Sequence, residues 1–88
     1  MKTIVFSQHA VEQMPDREAA REEVEAAIHA GERVPAEEGR IAFRKNFPFQ
    51  QDWKEHYYEV KQVIPIVVEE SDRIIVVTVY VLYFGGKR

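Results

Sequence analysis

Six side chains in this 88-residue sequence are of types, and at positions, that could do chemistry: His9, Arg17, Arg44, Lys61, Thr78 and Tyr80. A histidine titrates near neutrality and can give or take a proton, and a guanidinium fork can hold a phosphate or another oxyanion. His9 is expected on the helical stripe opposite Ala10 and Met14, with Gln13 beside it and Arg17 shortly after. Lys61, Thr78 and Tyr80 are expected on one sheet face, joined by Arg44 if its strand is adjacent. Together they would form a cleft with cations for phosphate and hydroxyls that donate or shuttle protons. Each group also has a plainer reading. His9 could hydrogen-bond a strand–helix junction, and Lys and Arg stems often cover apolar neighbours on a half-solvated sheet face.

Other chemistries have little to stand on. The chain has no cysteine, so it offers neither a thiolate nucleophile, a disulfide nor a Cys-based zinc site. His9, His29 and His56 lack metal-ligand spacing, and no metal or other cofactor is expected. P-loop, dinucleotide-binding, nucleophile-elbow and metalloprotease motifs are all missing. The aromatic segment Phe43, Phe47, Phe49, Trp53, Tyr57, Tyr58 could stack bases, form core, or centre a homodimer interface.

Length and composition bound the rest. Eighty-eight residues, 45% hydrophobic and 31% charged, suit a single globular domain over residues 1–88. No apolar run approaches the length of a membrane span and no signal-peptide core is evident, so a cytoplasmic protein without membrane contact is expected. Charge is uneven. Residues 1–39 hold 4 Lys/Arg against 9 Asp/Glu, and residues 40–88 hold 8 against 6, so the acidic half precedes a mildly basic one. Any contact with nucleic acid must therefore be local.

The elements that must position these groups follow from pattern. Thr3–Phe6 reads as a strand and Ser7 as the N-cap of a short helix ending at Met14, because Pro15 disfavours helical geometry before it. Asp16 is expected to cap a second helix, Arg17 to about Ala30, with Ala20, Val24, Ala27 and Ile28 inward and Gly31 closing it. Gly31–Gly39 reads as a polar connection. Ile41–Phe47 alternates as a strand does, 47–54 reads as a loop, and Tyr57–Val68 and Arg73–Phe84 are long strands rich in β-branched residues.

A symmetric turn about Glu70 and Ser71 pairs Val68 with Arg73, Ile66 with Ile75 and Ile64 with Val77. That register sets Lys61 across from Tyr80 and Val63 across from Thr78, with Val60, Ile64, Ile66 and Val68 on the same face as Ile75, Val77, Val79 and Val81. Pro65 belongs at a bulge or where its strand lacks a second neighbour.

The segments Phe6-Ser7-Gln8-His9-Ala10, Gln13-Met14, Arg17, Glu22-Glu23-Val24 and Val76-Val77-Thr78-Val79-Tyr80 resemble a small bacterial family of unknown function, with short motifs of the form His-Ala, Arg-Met, Arg-Gly and Glu-Glu-Val. That family looks like a distant relative of the RelE/ParE-type toxins and the barnase-like ribonuclease folds. The resemblance implies an α+β fold, two N-terminal helices on one face of a twisted, mainly antiparallel sheet of about four strands. It also implies His9, Arg17 and Thr78 as the polar pattern positions. Metal-independent RNA binding or cleavage would then use His9 as acid/base and Arg17, Arg44 and Lys61 on the phosphate, with Tyr80 or Thr78 assisting. Gln13 stands where the family has Arg, Glu18 where it has Gly, and Ala20 where it often has Ser. The other expectation is a non-enzymatic interaction module, a homodimer or the holder of an antitoxin-like protein.

Overall fold

The computed structural model describes residues 2–86. The chain runs β1 (Thr3–Phe6), α1 (Gln8–Asp16), α2 (Arg21–Ala30), β2 (Glu32–Pro35), a 3-10 turn (Glu37–Gly39), β3 (Ile41–Trp53), β4 (His56–Glu69) and β5 (Arg73–Phe84). One sheet has the order β1-β5-β4-β3-β2, with β1 parallel to β5 and the other three pairings antiparallel. The two helices carry the chain from one sheet edge to the other, and both pack on the same face. An α+β fold with two helices on a mainly antiparallel sheet is what the pattern indicated.

The strand count is five rather than four. β2 lies in the polar Gly31–Gly39 segment, where Val34 alone signals a strand, and it forms because β3 offers an edge at Phe43 and Ala42. The second helix begins at Arg21, not Arg17. Glu18 takes a left-handed φ of 54°, and the amides of Arg17, Glu18 and Ala19 bond back to Gln13, Met14 and Pro15. Asp16 therefore ends α1 instead of capping α2. At the new start Ala20 has no side-chain acceptor, so the Glu23 carboxylate accepts the Ala20 N–H at 3.0 Å. Ser7 caps α1 as expected, accepting from the Ala10 amide at 3.1 Å. Pro15 falls in the last turn, where one missing N–H interrupts little.

Gly31 closes α2 for a reason other than left-handed backbone. Its φ is −82°, but a Cβ there would lie 2.5 Å from the Ala27 carbonyl oxygen and 2.6 Å from that of Arg44. The helix end packs on β3 too closely for any side chain.

The core occupies one sheet face. Met14, Val24, Ala27 and Ile28 of the helices meet Phe43, Val63, Val67, Val76 and Val79 of the strands. The β4–β5 register differs from the symmetric-turn expectation. Val68 pairs with Ile75, Ile66 with Thr78 and Ile64 with Tyr80, and a bulge at Val77 lies between the Val67↔Val76 and Ile66↔Thr78 pairs. Such a bulge reverses which side chains face inward. Ile74 and Val76 face the helices before it, and Val79, Val81 and Tyr83 after it. Lys61 consequently pairs with Tyr83, not Tyr80, and Val63 with Val81, not Thr78.

Both prolines in long strands fall where a donor is not needed. The β3–β4 ladder steps from Ala42↔Ile66 to Lys45↔Val63, passing over Pro65. Pro48 lies past the end of β2, where β3 has an open side, and the ladder shifts just beyond it. β3 thus continues through 47–53, which the pattern assigned to a loop, and turns at Lys54 and Glu55.

Candidate functional site

β1 ends beside Val76, yet β5 continues for eight more residues. Side chains from Ser7 and α1 take over the abandoned edge. The Ser7 hydroxyl donates to the Val77 carbonyl at 3.3 Å. Gln13 Oε1 accepts from the Thr78 hydroxyl and from the Val79 amide, each at 2.7 Å. Arg17 Nη1 donates to the Val79 carbonyl at 2.7 Å, and its guanidinium carbon lies 5.1 Å from the centre of the Tyr80 ring. The residue that the resemblance marks as a lost phosphate ligand, Gln13, is thus an anchor for the strand edge.

Two clefts flank Arg17. One, of about 220 Å³, lies between the end of α1, the β3–β4 hairpin tip and the far part of β5, and is lined by Asp16, Arg17, Trp53, Lys54 and Tyr80–Tyr83. The other is an open surface formed by His9, Glu12, Gln13, Asp16 and Arg17. His9, Arg17 and Tyr80 therefore occupy adjoining surfaces.

The remaining candidates are held elsewhere. Lys61 is buried on the helix-covered face, the opposite side from Tyr80. Its ammonium donates to the Glu18 carbonyl and to Glu23 Oε1, the latter at 2.9 Å. A buried ammonium without partners would be costly, so this pair fastens β4 to the start of α2. Thr78 is engaged by Gln13. Arg44, two strands away from β5, pairs with Glu32 at 2.7 Å. Most other cations are also matched: Arg21 with Glu25, Arg33 with Glu69, Arg40 with Glu38 and Arg73 with Glu70.

The aromatic segment divides. Phe49, Trp53 and Tyr58 gather around Tyr83, with ring centres 4.9, 5.0 and 5.7 Å away. The Tyr83 hydroxyl is buried with no hydrogen-bond partner among the described residues. Burial, then the nearby Glu18 and Glu23 charges, raise its pKa above the ordinary phenol value. The hairpin tip folds over this cluster, which brings Trp53 and Lys54 to β5.

The opposite sheet face carries no helix. Tyr80, Leu82 and Phe84 are 48, 52 and 41% exposed there, alongside half-buried Val60, Ile64, Ile66 and Val68 of β4. The segment 36–40 overlies only part of this face, forming a cleft with Ile66, Thr78 and Tyr80.

Among the described residues no group of His, Asp or Glu is arranged to hold a metal ion, and no helix is long and apolar enough to cross a membrane. The chain matches no family model, no curated protein and no solved structure at a significant level. Sequence reasoning missed Asp16 and Lys54 as cleft residues. Two strands separated by Lys54-Glu55 were the available signal, but the pair lacks the Asn-Gly chemistry that marks such turns.

Proposed function

We propose that this chain is a protein-interaction module that associates with a second copy of itself through the uncovered face of its sheet. The observation that carries this reading is the row Tyr80, Leu82, Phe84, exposed beside the apolar β4 residues on a face that no helix covers and that the segment 36–40 overlies only in part. A sheet ordinarily buries an apolar face against another element. Three strands, β3, β4 and β5 with 13, 14 and 12 residues, form the long part of this face, and β1 and β2 add four residues each at its edges. At about 3.3 Å per residue and about 4.8 Å between strands, the three long strands alone span on the order of 600 Å², comparable with the roughly 800 Å² per partner in a standard protein interface. Two such faces can stack about 10 Å apart as a sandwich.

The experiment is light scattering on the purified chain across concentration. The expected mass is twice 10.3 kDa, returning to the single-chain value in Leu82→Asp with its circular dichroism unchanged. A monomer at millimolar concentration would overturn the reading. The ribonuclease reading rests on His9, Arg17 and Tyr80 lying on adjoining surfaces. Cleavage of mixed RNAs that disappears in a folded His9→Ala variant would favour it instead.

A further inference from the structure

The edge of β5 beyond Val79 is open. Val79 turns both its backbone groups outward, to Gln13 and Arg17, and its partner across the ladder, Pro65, has no N–H to offer. Pro65↔Val79 is therefore a non-hydrogen-bonded pair. Antiparallel ladders alternate between bonded and non-bonded pairs. Val63↔Val81 and Lys61↔Tyr83 are of the same kind as Pro65↔Val79, so Val81 and Tyr83 also direct their N–H and C=O groups outward. Among the described residues nothing bonds to them there.

Exposed edges of this type are usually blocked by proline, inward charge or a covering loop. Here the edge instead forms the floor of the 220 Å³ cleft, with Arg17 on one side and Trp53 and Lys54 on the other. The charges around it narrow the choice of occupant. Arg17 and Lys54 form no ion pair with a carboxylate among the described residues, although six other cations do. Asp16 lines the same cleft beyond ion-pair distance of either. A second copy adding its own β5 would bring Val81–Phe84, which has no acid, and would place the two sets of Arg17 and Lys54 along one seam. An acidic strand avoids that repulsion and meets both cations, whose two charges outweigh the single opposing charge of Asp16.

We propose that the β5 edge at Val81 and Tyr83 takes an extended acidic peptide segment of a partner protein as an added strand, its carboxylates meeting Arg17 and Lys54. Alternation along a strand then sets the pattern of the segment: acidic residues on the face that meets Arg17 and Lys54, apolar residues on the other. Main-chain hydrogen bonds to Val81 and Tyr83 supply affinity, and the two cations select for charge. This surface rests on the interaction-module reading only in taking the partner to be protein. It is separate from the sheet face that would pair two copies, so the two can fail independently.

The test is a titration of the labelled full chain with the blocked hexapeptide acetyl-Glu-Val-Glu-Val-Glu-Val-amide, followed by amide shifts and hydrogen exchange. The expected result is slowed exchange at the Val81 and Tyr83 amides. Lys54→Glu should weaken binding about tenfold, and the Lys-Val counterpart of the peptide should then bind that variant better than the acidic one. Shifts near Arg17 and Lys54 without protection at Val81 and Tyr83 would overturn strand addition, as would no shifts at all. A short single-stranded RNA protecting the same cleft while the peptide does not would also overturn it. Light scattering on the same sample reports the dimer separately.

Discussion

The Gln13 side-chain oxygen lies 2.7 Å from the Val79 amide and stands in for the strand that β1 fails to provide. The same oxygen takes the Thr78 hydroxyl, so one side chain satisfies two groups beside the Val77 bulge. Gln13→Leu should leave the part-buried Val79 N–H without a partner, at a cost of about 1–3 kcal/mol. Thr78→Val should cost less, on the order of 1 kcal/mol, because it removes the donor as well as its bond. Urea unfolding of the two variants checks the order. Equal losses would mean that the Thr78 contact, not the amide contact, holds the edge.

The β3–β4 turn places both Lys54 and Glu55 in left-handed backbone, with φ of 50° and 72°. Two-residue hairpins favour this geometry, but it costs roughly 1–2 kcal/mol for residues other than Gly, Asn and Asp. Glu55→Gly should therefore stabilise the protein by about 1 kcal/mol while leaving the Lys54 ammonium in place. Glu55→Val should destabilise it by at least as much, since β-branching is poorly tolerated at positive φ. Midpoints of chemical denaturation decide. A Gly variant less stable than the parent would show that the Glu55 side chain contributes more than its backbone costs.

These two relationships also mark how far the sequence could be read. Thr3–Phe6 and Arg73–Phe84 were legible to the residue, because β-branched runs bounded by a cap or glycines admit few alternatives. Ser7 was legible as a cap because its hydroxyl precedes an apolar helical stripe. The β4–β5 register was not. A symmetric turn is the simplest assumption, and a one-residue bulge at Val77, within the β-branched run Ile74–Val79, leaves no mark in residue type. That hidden residue moved Lys61 to the opposite face from Tyr80 and dissolved the expected cationic cleft. β2 escaped notice because its pairing depends on β3 more than on its own composition. Arg17 was found by type, but its attachment to Val79 depends on β1 stopping at Phe6, a tertiary fact.

Tyr83 gives the sharpest test of the aromatic cluster. Its hydroxyl is buried without a partner among the described residues, so it loses hydration and gains no hydrogen bond in return. Removing the oxygen in Tyr83→Phe should be neutral or stabilising by up to about 1 kcal/mol, while the ring contacts with Phe49, Trp53 and Tyr58 persist. The pH dependence has a definite sign. Burial, reinforced by Glu18 and Glu23, raises the folded-state pKa above the ordinary phenol value. The unfolded chain therefore loses this proton first. The associated stability is fully present below about pH 10 and declines as pH rises from there through the higher folded pKa. Unfolding free energies between pH 8 and 11 should fall for the wild type and fall less for Tyr83→Phe, with phenolate absorbance reporting the late ionisation directly. A Phe variant that loses more than about 1 kcal/mol at pH 7 would mean that the hydroxyl has a bonding partner. Parallel pH profiles would mean that Tyr83 ionises as freely in the folded protein as in the unfolded chain.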